Sequence, residues 1–124
     1  MHPNLEKKLI ETYPSFFDEK FNFECDDGWY DLIGRLCYDI TKVLTKEEFE
    51  KFKILQVKEK FATLRVYCEN SNDAVFELIQ KASEASASIC EITGGVGQLH
   101  KSGGYLKTLN KDTAKLIKFK PVKE

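Results

Sequence analysis

Sulfur- and oxygen-bearing residues between positions 90 and 113 have the spacing of a metal site. Cys90 and Thr93 are separated by two residues, as are Asn110 and Thr113, and sixteen residues lie between the two pairs. Four cysteines at this spacing strongly indicate a structural zinc site. Here only Cys90 supplies a thiolate, and neutral oxygen donors are poor zinc ligands. We therefore predict a degenerate zinc-knuckle-like segment over 90–113 that binds no metal.

Three stretches of the chain together resemble a family of small proteins encoded by phages and prophages. They are GWYDLI at 28–33, QVKEKF at 56–61 with LRVY at 64–67, and the 90–113 segment. The resemblance covers roughly residues 24–113. Family members carry a Cys-Glu-x-Cys-Gly-x-x-Gly knuckle, a Gly-Gly-Trp stretch and a Thr-Leu-Cys-x-x-Cys knuckle. The positions that keep this pattern are Cys90, Glu91, Gly94, Gly97, Gly103, Gly104, Thr108 and Leu109.

The chain departs from that family inside both knuckles and the glycine stretch. Thr93, Asn110 and Thr113 stand where the family has cysteines, and Tyr105 stands where it has tryptophan. The resemblance implies a phage-type protein acting in the cytoplasm of a bacterial host, and it implies no particular reaction. The departures argue against a zinc-dependent role.

Residues suited to catalysis are few. The sequence has no nucleophile-elbow, phosphate-loop or zinc-protease motif, and its two histidines are His2 and His100. A histidine general base is therefore not expected. We interpret His100 as a surface or loop residue, because Cys90 is the only other soft metal ligand nearby. We predict no cofactor and no enzyme activity, with a small nucleotide hydrolase as the weaker alternative.

Cationic and aromatic side chains on a predicted hairpin form a candidate binding site. On the second strand Arg65 and Tyr67 share one face, and Lys58 on the first strand lies opposite them. A guanidinium, an ammonium and an aromatic ring together suit a phosphate or a base. The alternative is a solvated sheet face whose lysines discourage edge pairing. The candidate ligand contacts are Lys58, Lys60, Arg65, Tyr67, His100, Tyr105 and Lys107.

These candidates depend on a central hairpin over about 52–69. Apolar and polar residues alternate over 52–58 and 62–69, which is the period of a strand, although the turn at 59–62 lacks a glycine. We therefore expect an α+β fold in which a small antiparallel β-sheet packs against two or three helices.

Apolar residues three and four apart predict the helices. The predicted helices span 4–12, 28–44 and 72–90. In the second, Trp29 is expected to anchor the core, and Asp26 or Asp27 is expected to be the N-cap. The residues expected to face inward from the third are Val75, Phe76, Ile79, Ala82 and Ile89.

The region after the last long helix is rich in glycine. Residues 94–104 hold five of the seven glycines, which predicts tight turns and exposed backbone amides. A short strand over 105–109 and a final edge strand over 116–119 are expected to follow. Without zinc the segment must be held by packing, and the apolar residues assigned to that role are Ile92, Leu99, Leu106 and Leu109.

Length and composition suit one globular domain over 1–124. The hydrophobic fraction is 42% and the formal net charge is -1, but residues 1–50 carry a net charge of -6 and residues 101–124 carry +5. The basic end predicts either a solvated surface or a patch for an anionic ligand. The start of the chain has no apolar signal region and no apolar run is long enough to span a bilayer, so a cytoplasmic protein is expected. Cysteines in that compartment are expected to be reduced and to act as small apolar side chains; they are Cys25, Cys37, Cys68 and Cys90.

Two functions remain open from the sequence. The first is a phage-type accessory interaction protein that binds and inhibits a host immune factor, or sequesters a small nucleotide signal. The alternative is a nucleic-acid-binding accessory protein that uses the basic C-terminal region, although the near-zero net charge argues against tight non-specific binding. The expected partners are a host protein or a small anionic ligand, with nucleic acid or a second copy of the chain also possible and no membrane.

Overall fold

The structure is a computed structural model that describes residues 1–122. These residues form an α+β fold, as predicted, but they contain two small sheets where one was expected. The helices are α1 (Pro3–Thr12), α2 (Tyr30–Val43), α3 (Lys46–Lys51), α4 (Asp73–Ser86) and α5 (Lys111–Leu116), and a short 3-10 helix spans Asp27–Trp29. The strands are β1 (Phe23–Glu24), β2 (Lys53–Lys60), β3 (Thr63–Glu69), β4 (Gln98–Ser102), β5 (Tyr105–Leu109) and β6 (Lys120–Pro121).

The first sheet has the strand order β1-β2-β3, and it contains the predicted hairpin. Strands β2 and β3 are antiparallel with Val57 paired to Val66. Strand β1 adds in parallel, with Phe23 beside Val57. The sequence did not indicate β1, because two residues are too few to show a period of two.

The hairpin turn is built without glycine. Phe61 and Ala62 both have positive φ, 52° and 68°, which is the backbone of the two-residue turn that matches strand twist. Such angles are unfavourable for residues with a Cβ. The carboxylate of Glu59 accepts a hydrogen bond from the Ala62 N–H at 2.7 Å, and Ala62 is buried. These contacts hold a turn that local propensity alone would not favour.

Helices α2 and α4 pack on one face of the first sheet. Trp29 is fully buried and its Nε1 donates to the Ile89 carbonyl oxygen at 2.9 Å, so the predicted core anchor is confirmed. The predicted N-cap is confirmed only in position: Asp26 is the N-cap residue of the 3-10 helix that leads into α2, but its side chain makes no cap hydrogen bond. Asp27 instead accepts from the His2 N–H. The largest core residues are Phe16, Trp29, Ile33, Ile40, Phe52, Val57, Leu64 and Val75.

Helix α4 is shorter than predicted, and one of the residues expected to face inward from it is exposed. It ends at Ser86, and beyond it Ile89 forms an isolated bridge with Val96. Val75 and Ala82 face the core as expected, but Phe76 is 61% exposed. The broad apolar stripe therefore extends past the buried face, and one large ring on it lies in solvent.

The second sheet has the order β5-β4-β6 and occupies the glycine-rich C-terminal region. The expected strand over 105–109 is confirmed as β5. Its partner β4 was not predicted, because the glycines around it lowered the strand signal. The final strand is at Lys120–Pro121, and the predicted strand at 116–119 is wrong because α5 extends to Leu116.

The cysteines are reduced and mostly buried. Cys25, Cys37 and Cys90 are buried, and Cys68 is half-buried. Burial raises the pKa of Cys25, Cys37 and Cys68 to about 12. These three thiols therefore behave as the apolar side chains that the sequence predicted.

Within residues 1–122, no helix combines the length and the apolar character that crossing a bilayer requires.

Candidate functional site

The chain turns tightly around the sulfur of Cys90. The Cys90 N–H donates to the Gly95 carbonyl oxygen at 2.8 Å, and the Gly94 N–H donates to the Cys90 carbonyl oxygen at 2.9 Å. Gly94 has a φ of 81°, which favours glycine. The Thr93 N–H points at the Cys90 sulfur from 3.4 Å. The tight turn thus directs a backbone donor at this sulfur.

The environment of Cys90 differs from that of the other cysteines. Burial acts to raise its pKa, but hydrogen bonds to the sulfur outweigh burial, so the pKa lies below the usual value. The donors are the Thr93 hydroxyl and the backbone N–H groups of Asn110, Thr93 and Ile92. Positions 90, 93 and 110 of the cysteine frame are therefore together in space. The side chain of Thr113 is not among these donors.

The described residues offer few metal ligands. Among residues 1–122, no three His, Cys, Asp or Glu side chains form a group that could hold an ion. The interpretation of His100 as a surface residue is wrong: it is 1% exposed on β4, and its Nδ1 lies 2.8 Å from the Gln98 carbonyl oxygen. A ring N–H bonded to that oxygen gives the histidine a structural role in this sheet.

A polar cluster, formed by Asp26, Glu91 and Lys107, joins the C-terminal segment to the first half of the chain. The Glu91 side chain is 2% exposed, and its Oε1 lies 3.2 Å from Lys107 Nζ. Its Oε2 accepts from the Asp26 N–H at 3.1 Å. Lys107 Nζ is also 3.7 Å from the Asp26 carboxylate.

The cluster corrects our prediction of how the 90–113 segment is held. Leu109 is fully buried, but Leu99 is 40% exposed, and Ile92 and Leu106 are only half-buried. The backbone of Glu91 adds two more bonds, from its N–H to the Thr108 carbonyl oxygen and from the Gly28 N–H to its carbonyl oxygen. Polar contacts therefore supply much of what we had assigned to apolar packing.

Burial decides the protonation of this cluster. Desolvation raises the pKa of Glu91 above its ordinary value, although the Lys107 ammonium acts in the opposite direction. For Lys107, desolvation lowers the pKa, but the Glu91 and Asp26 carboxylates outweigh it and the net shift is upward. Lys107 thus stays charged, while burial opposes the charge on Glu91.

Two glycines allow the close approach of these elements. A Cβ on Gly28 would lie 2.1 Å from the Cys90 carbonyl oxygen, and one on Gly97 would lie 2.6 Å from the Cys90 nitrogen. Both distances are shorter than any side chain tolerates. The segment therefore packs backbone to backbone against its neighbours.

The other candidate contacts lie on the face of the first sheet opposite α2 and α4. Lys58 and Arg65 are paired directly across β2 and β3. Lys58 Nζ lies 6.0 Å from the centre of the Tyr67 ring, at the limit of a cation–π contact. Tyr67 is 45% exposed. We refer to Lys58, Arg65 and Tyr67 as the cationic face.

The surroundings of the cationic face are mixed. Glu24 on β1 pairs with Lys58 in register, and the Glu24 carboxylate accepts from the Gln56 side chain at 3.0 Å. Lys60 pairs with Thr63, two positions closer to the turn than Lys58, and is exposed. Leu55 is also exposed here. Among described residues no salt bridge involves Lys58 or Arg65, so both cations are available to a ligand.

The remaining predicted contacts do not join the cationic face. His100, Tyr105 and Lys107 all lie on the second sheet. Tyr105 is 75% exposed beside the Gly103–Gly104 turn, whereas His100 is buried and Lys107 is bound to carboxylates. The seven candidates therefore divide into one surface cluster, one exposed ring and two structural residues, with Lys60 at the margin of the cluster.

Sequence reasoning missed a second cationic pair. Lys101 on β4 is the register partner of Lys120 on β6. Like charges directly opposite each other are unfavourable, so this pair raises the local positive potential. The excess of basic residues over 101–124 was the available signal, but the pairing required β4.

Comparison with known proteins found no matching family model, no match among curated proteins and no match among solved structures.

Proposed function

We propose that this protein is a phage-type accessory interaction protein that binds an anionic group on its cationic face. Through that contact it would inhibit a host defence factor or sequester a small nucleotide signal. The phage context rests on the sequence resemblance described above. The observation that carries the binding proposal is the direct pairing of Lys58 with Arg65 beside the exposed Tyr67 ring.

The chemistry of the cationic face suits a phosphate attached to a planar group. Arg65 Nε is 3.1 Å from the Thr63 hydroxyl, which steadies the guanidinium while its other N–H groups remain available. Arginine binds phosphate or carboxylate through two parallel hydrogen bonds, and lysine adds a point charge. An exposed tyrosine face accepts a stacked base or ring. A nucleotide or an acidic protein surface meets all three requirements.

Direct binding measurements test this proposal. Calorimetry with a panel of mono-, di- and cyclic nucleotides, and quantitative capture of host proteins, are run with the wild type and with Arg65→Ala and Lys58→Ala. Lys8→Ala, an exposed lysine on α1, is the matched control. We expect both face variants to weaken binding by about tenfold or more and the control to bind as the wild type. Absence of nucleotide binding together with equal capture by all four proteins would refute the proposal.

Nucleic-acid binding is the second candidate, and the Lys101–Lys120 pair favours it. The pair lies on one face of the second sheet, whereas the exposed Tyr105 ring, opposite Ser102, lies on the other. Two adjacent cations suit the phosphate backbone of a nucleic acid, and such binding weakens steeply with salt. Gel shifts with single-stranded oligonucleotides across salt concentrations test it. Loss of binding in Lys101→Ala, but not in Arg65→Ala, would favour this candidate over the first.

A further inference from the structure

Strand β3 is the open edge of the first sheet. The Leu64 N–H donates to the Ser86 hydroxyl on α4 at 2.9 Å, so the backbone groups of Leu64 point away from β2. Backbone groups of alternate strand residues point the same way. The N–H and C=O groups of Val66 and Cys68 therefore point outward too. Among residues 1–122, no backbone hydrogen bond outside the regular elements involves either residue.

This edge lacks the usual protection against strand addition. Edge strands are commonly guarded by lysines, prolines or bulges. Lys58 and Lys60 lie on the central strand β2, and the bulge lies between Ile54 and Gln56 on the same strand. Strand β3 itself has neither a lysine nor a proline. The interpretation that lysines discourage edge pairing therefore does not apply to β3.

An apolar groove runs beside the open edge, between β3 and α4. Its volume is about 340 Å³. Val66 and Cys68 form the strand side, and Phe76 and Ile79 form the helix side. Phe76 is 61% exposed on the rim, which leaves a large ring without a partner. The groove can seat apolar side chains from a chain that runs along the edge.

The charged residues next to the β3 edge determine which side chains of an added strand fit on the face opposite the groove. Side chains of an added strand alternate between the two faces of the sheet. Those on the groove side meet Phe76 and Ile79, and those on the opposite side meet Arg65 and Tyr67 of β3. Acidic side chains complement Arg65 there, and Lys58 lies one strand further in.

We propose that the β3 edge binds an extended segment of a partner protein by strand addition. Its sequence alternates apolar residues, which enter the β3–α4 groove, with acidic residues, which pair with Arg65. Main-chain hydrogen bonds to Val66 and Cys68 provide affinity, and the groove provides specificity. This surface overlaps the cationic face at Arg65 and Tyr67, and it adds the β3 backbone edge and the β3–α4 groove, which the ligand site does not use.

A second copy of this chain fits the edge less well than an acidic segment does. Edge-to-edge pairing of two β3 strands would extend the sheet and place two cationic faces side by side. Each face brings two cations, Arg65 and Lys58, against a single acidic residue of β3, Glu69 at the strand end, so a second copy offers fewer acidic partners than an acidic segment does. Like charges brought together on one sheet face oppose association.

Selection from a random peptide library tests the proposal. Peptides of roughly eight residues, slightly longer than a typical strand, are displayed and selected against the full-length wild type. Selection against Phe76→Glu runs in parallel. We expect enriched peptides with apolar residues at every second position and acidic residues between them. The best peptide is then synthesised, with and without N-methylation of the amides at alternate positions.

The affinities of this peptide for a set of variants distinguish binding at the β3 edge from non-specific hydrophobic binding. Phe76→Ala and Arg65→Glu should each weaken binding by about tenfold, and N-methylation on the edge-facing amides should abolish it. Leu116→Ala removes an exposed apolar residue of α5, outside the groove, and should bind as the wild type. Amide resonances of Val66 and Cys68 should shift on binding.

Three results would overturn the proposal. The first is enrichment of the same peptides by Phe76→Glu, and the second is peptide binding that survives N-methylation. The third is a wild-type dimer in sedimentation that dissociates in Phe76→Glu, because the edge would then be occupied by a second copy. Loss of nucleotide binding in Lys58→Ala, with peptide affinity unchanged, leaves the edge proposal intact.

Discussion

Lys107 and Glu91 form an ion pair in which Glu91 is buried and Lys107 is half-buried, with Lys107 Nζ 3.2 Å from Glu91 Oε1. The second oxygen of Glu91 is bonded to the backbone of Asp26, sixty-five positions earlier in the chain. The pair thus fastens the C-terminal sheet to the start of the helical core. It does so next to Cys90, at the start of the 90–113 segment.

Replacing Lys107 by methionine should destabilise the protein strongly. The substitution leaves the Glu91 carboxylate buried without its counter-charge, and breaking a buried pair from one side typically costs about 3–5 kcal/mol. Urea denaturation at neutral pH measures the free energy of unfolding. Lys101→Met, an exposed lysine on the neighbouring strand, is the control and should change it by under about 0.5 kcal/mol. A loss of the same size in both variants would mean that the pair contributes no specific stability.

The loss in free energy of unfolding caused by Lys107→Met should depend on pH. Burial already raises the pKa of Glu91 in the wild type, and removal of the ammonium raises this pKa further. Burying the ionised carboxylate lowers the free energy of unfolding at neutral pH. This cost disappears as the pH falls and the native carboxylate takes up a proton, between its raised pKa and the ordinary value of 4.5. The variant should therefore approach the wild type as the pH is lowered from 7 toward 4.5. A deficit that is constant over this window would exclude Glu91 as its source.

A pair of glycine variants tests the backbone contact between the 3-10 helix and the 90–113 segment. Gly28→Ala places a Cβ 2.1 Å from the Cys90 carbonyl oxygen, so the contact must open. Overpacking of this kind costs about 3 kcal/mol. Gly34→Ala lies within α2, with its nearest neighbour at 3.8 Å, and should gain about 0.5–1 kcal/mol from helix propensity. Thermal and urea unfolding of both variants checks the opposite signs. Equal effects would show that the segment adapts to Gly28 without strain.

The elements with a clear period were predictable from the sequence, and their boundaries were less so. The hairpin and α2 followed from alternation and from apolar spacing, because each buries one face. The turn at Phe61 and Ala62 was not predictable, since its positive φ angles depend on a Glu59 contact that no local rule encodes. Strand β4 was missed because glycines on both sides conceal an exposed strand.

Some residues of the candidate site were likewise predictable from the sequence, and others were not. Lys58, Arg65 and Tyr67 could be placed on one face because a strand alternates strictly. The pairing of Glu91 with Lys107 could not, because both residue types usually lie at the surface and only tertiary contacts bury them.

Restoring the cysteine frame should create a zinc site. Cys90 already accepts hydrogen bonds from the backbone of Thr93 and Asn110, so thiolates at 93 and 110 would project near its sulfur. Position 113 lies in the first turn of α5, which Asn110 caps. We expect the triple variant Thr93→Cys, Asn110→Cys, Thr113→Cys to bind one zinc ion, because four thiolates at this spacing form a closed tetrahedral site.

Stability and metal content together decide the outcome. Zinc at a thousand times its dissociation constant should raise the free energy of unfolding of the triple variant by about 4 kcal/mol. Cobalt should give the visible absorption of a tetrahedral thiolate site. The double variant Thr93→Cys, Asn110→Cys is the matched control and should bind more weakly, because it lacks the ligand at 113. Stoichiometric zinc in the wild type, released by a thiol reagent, would contradict the premise that the 90–113 segment folds without metal. Absence of zinc in the triple variant would show that the side chain at position 113 does not reach the other three thiolates. The contacts of Glu91 and Lys107 beside Cys90 would then hold the segment in a geometry that does not allow tetrahedral coordination.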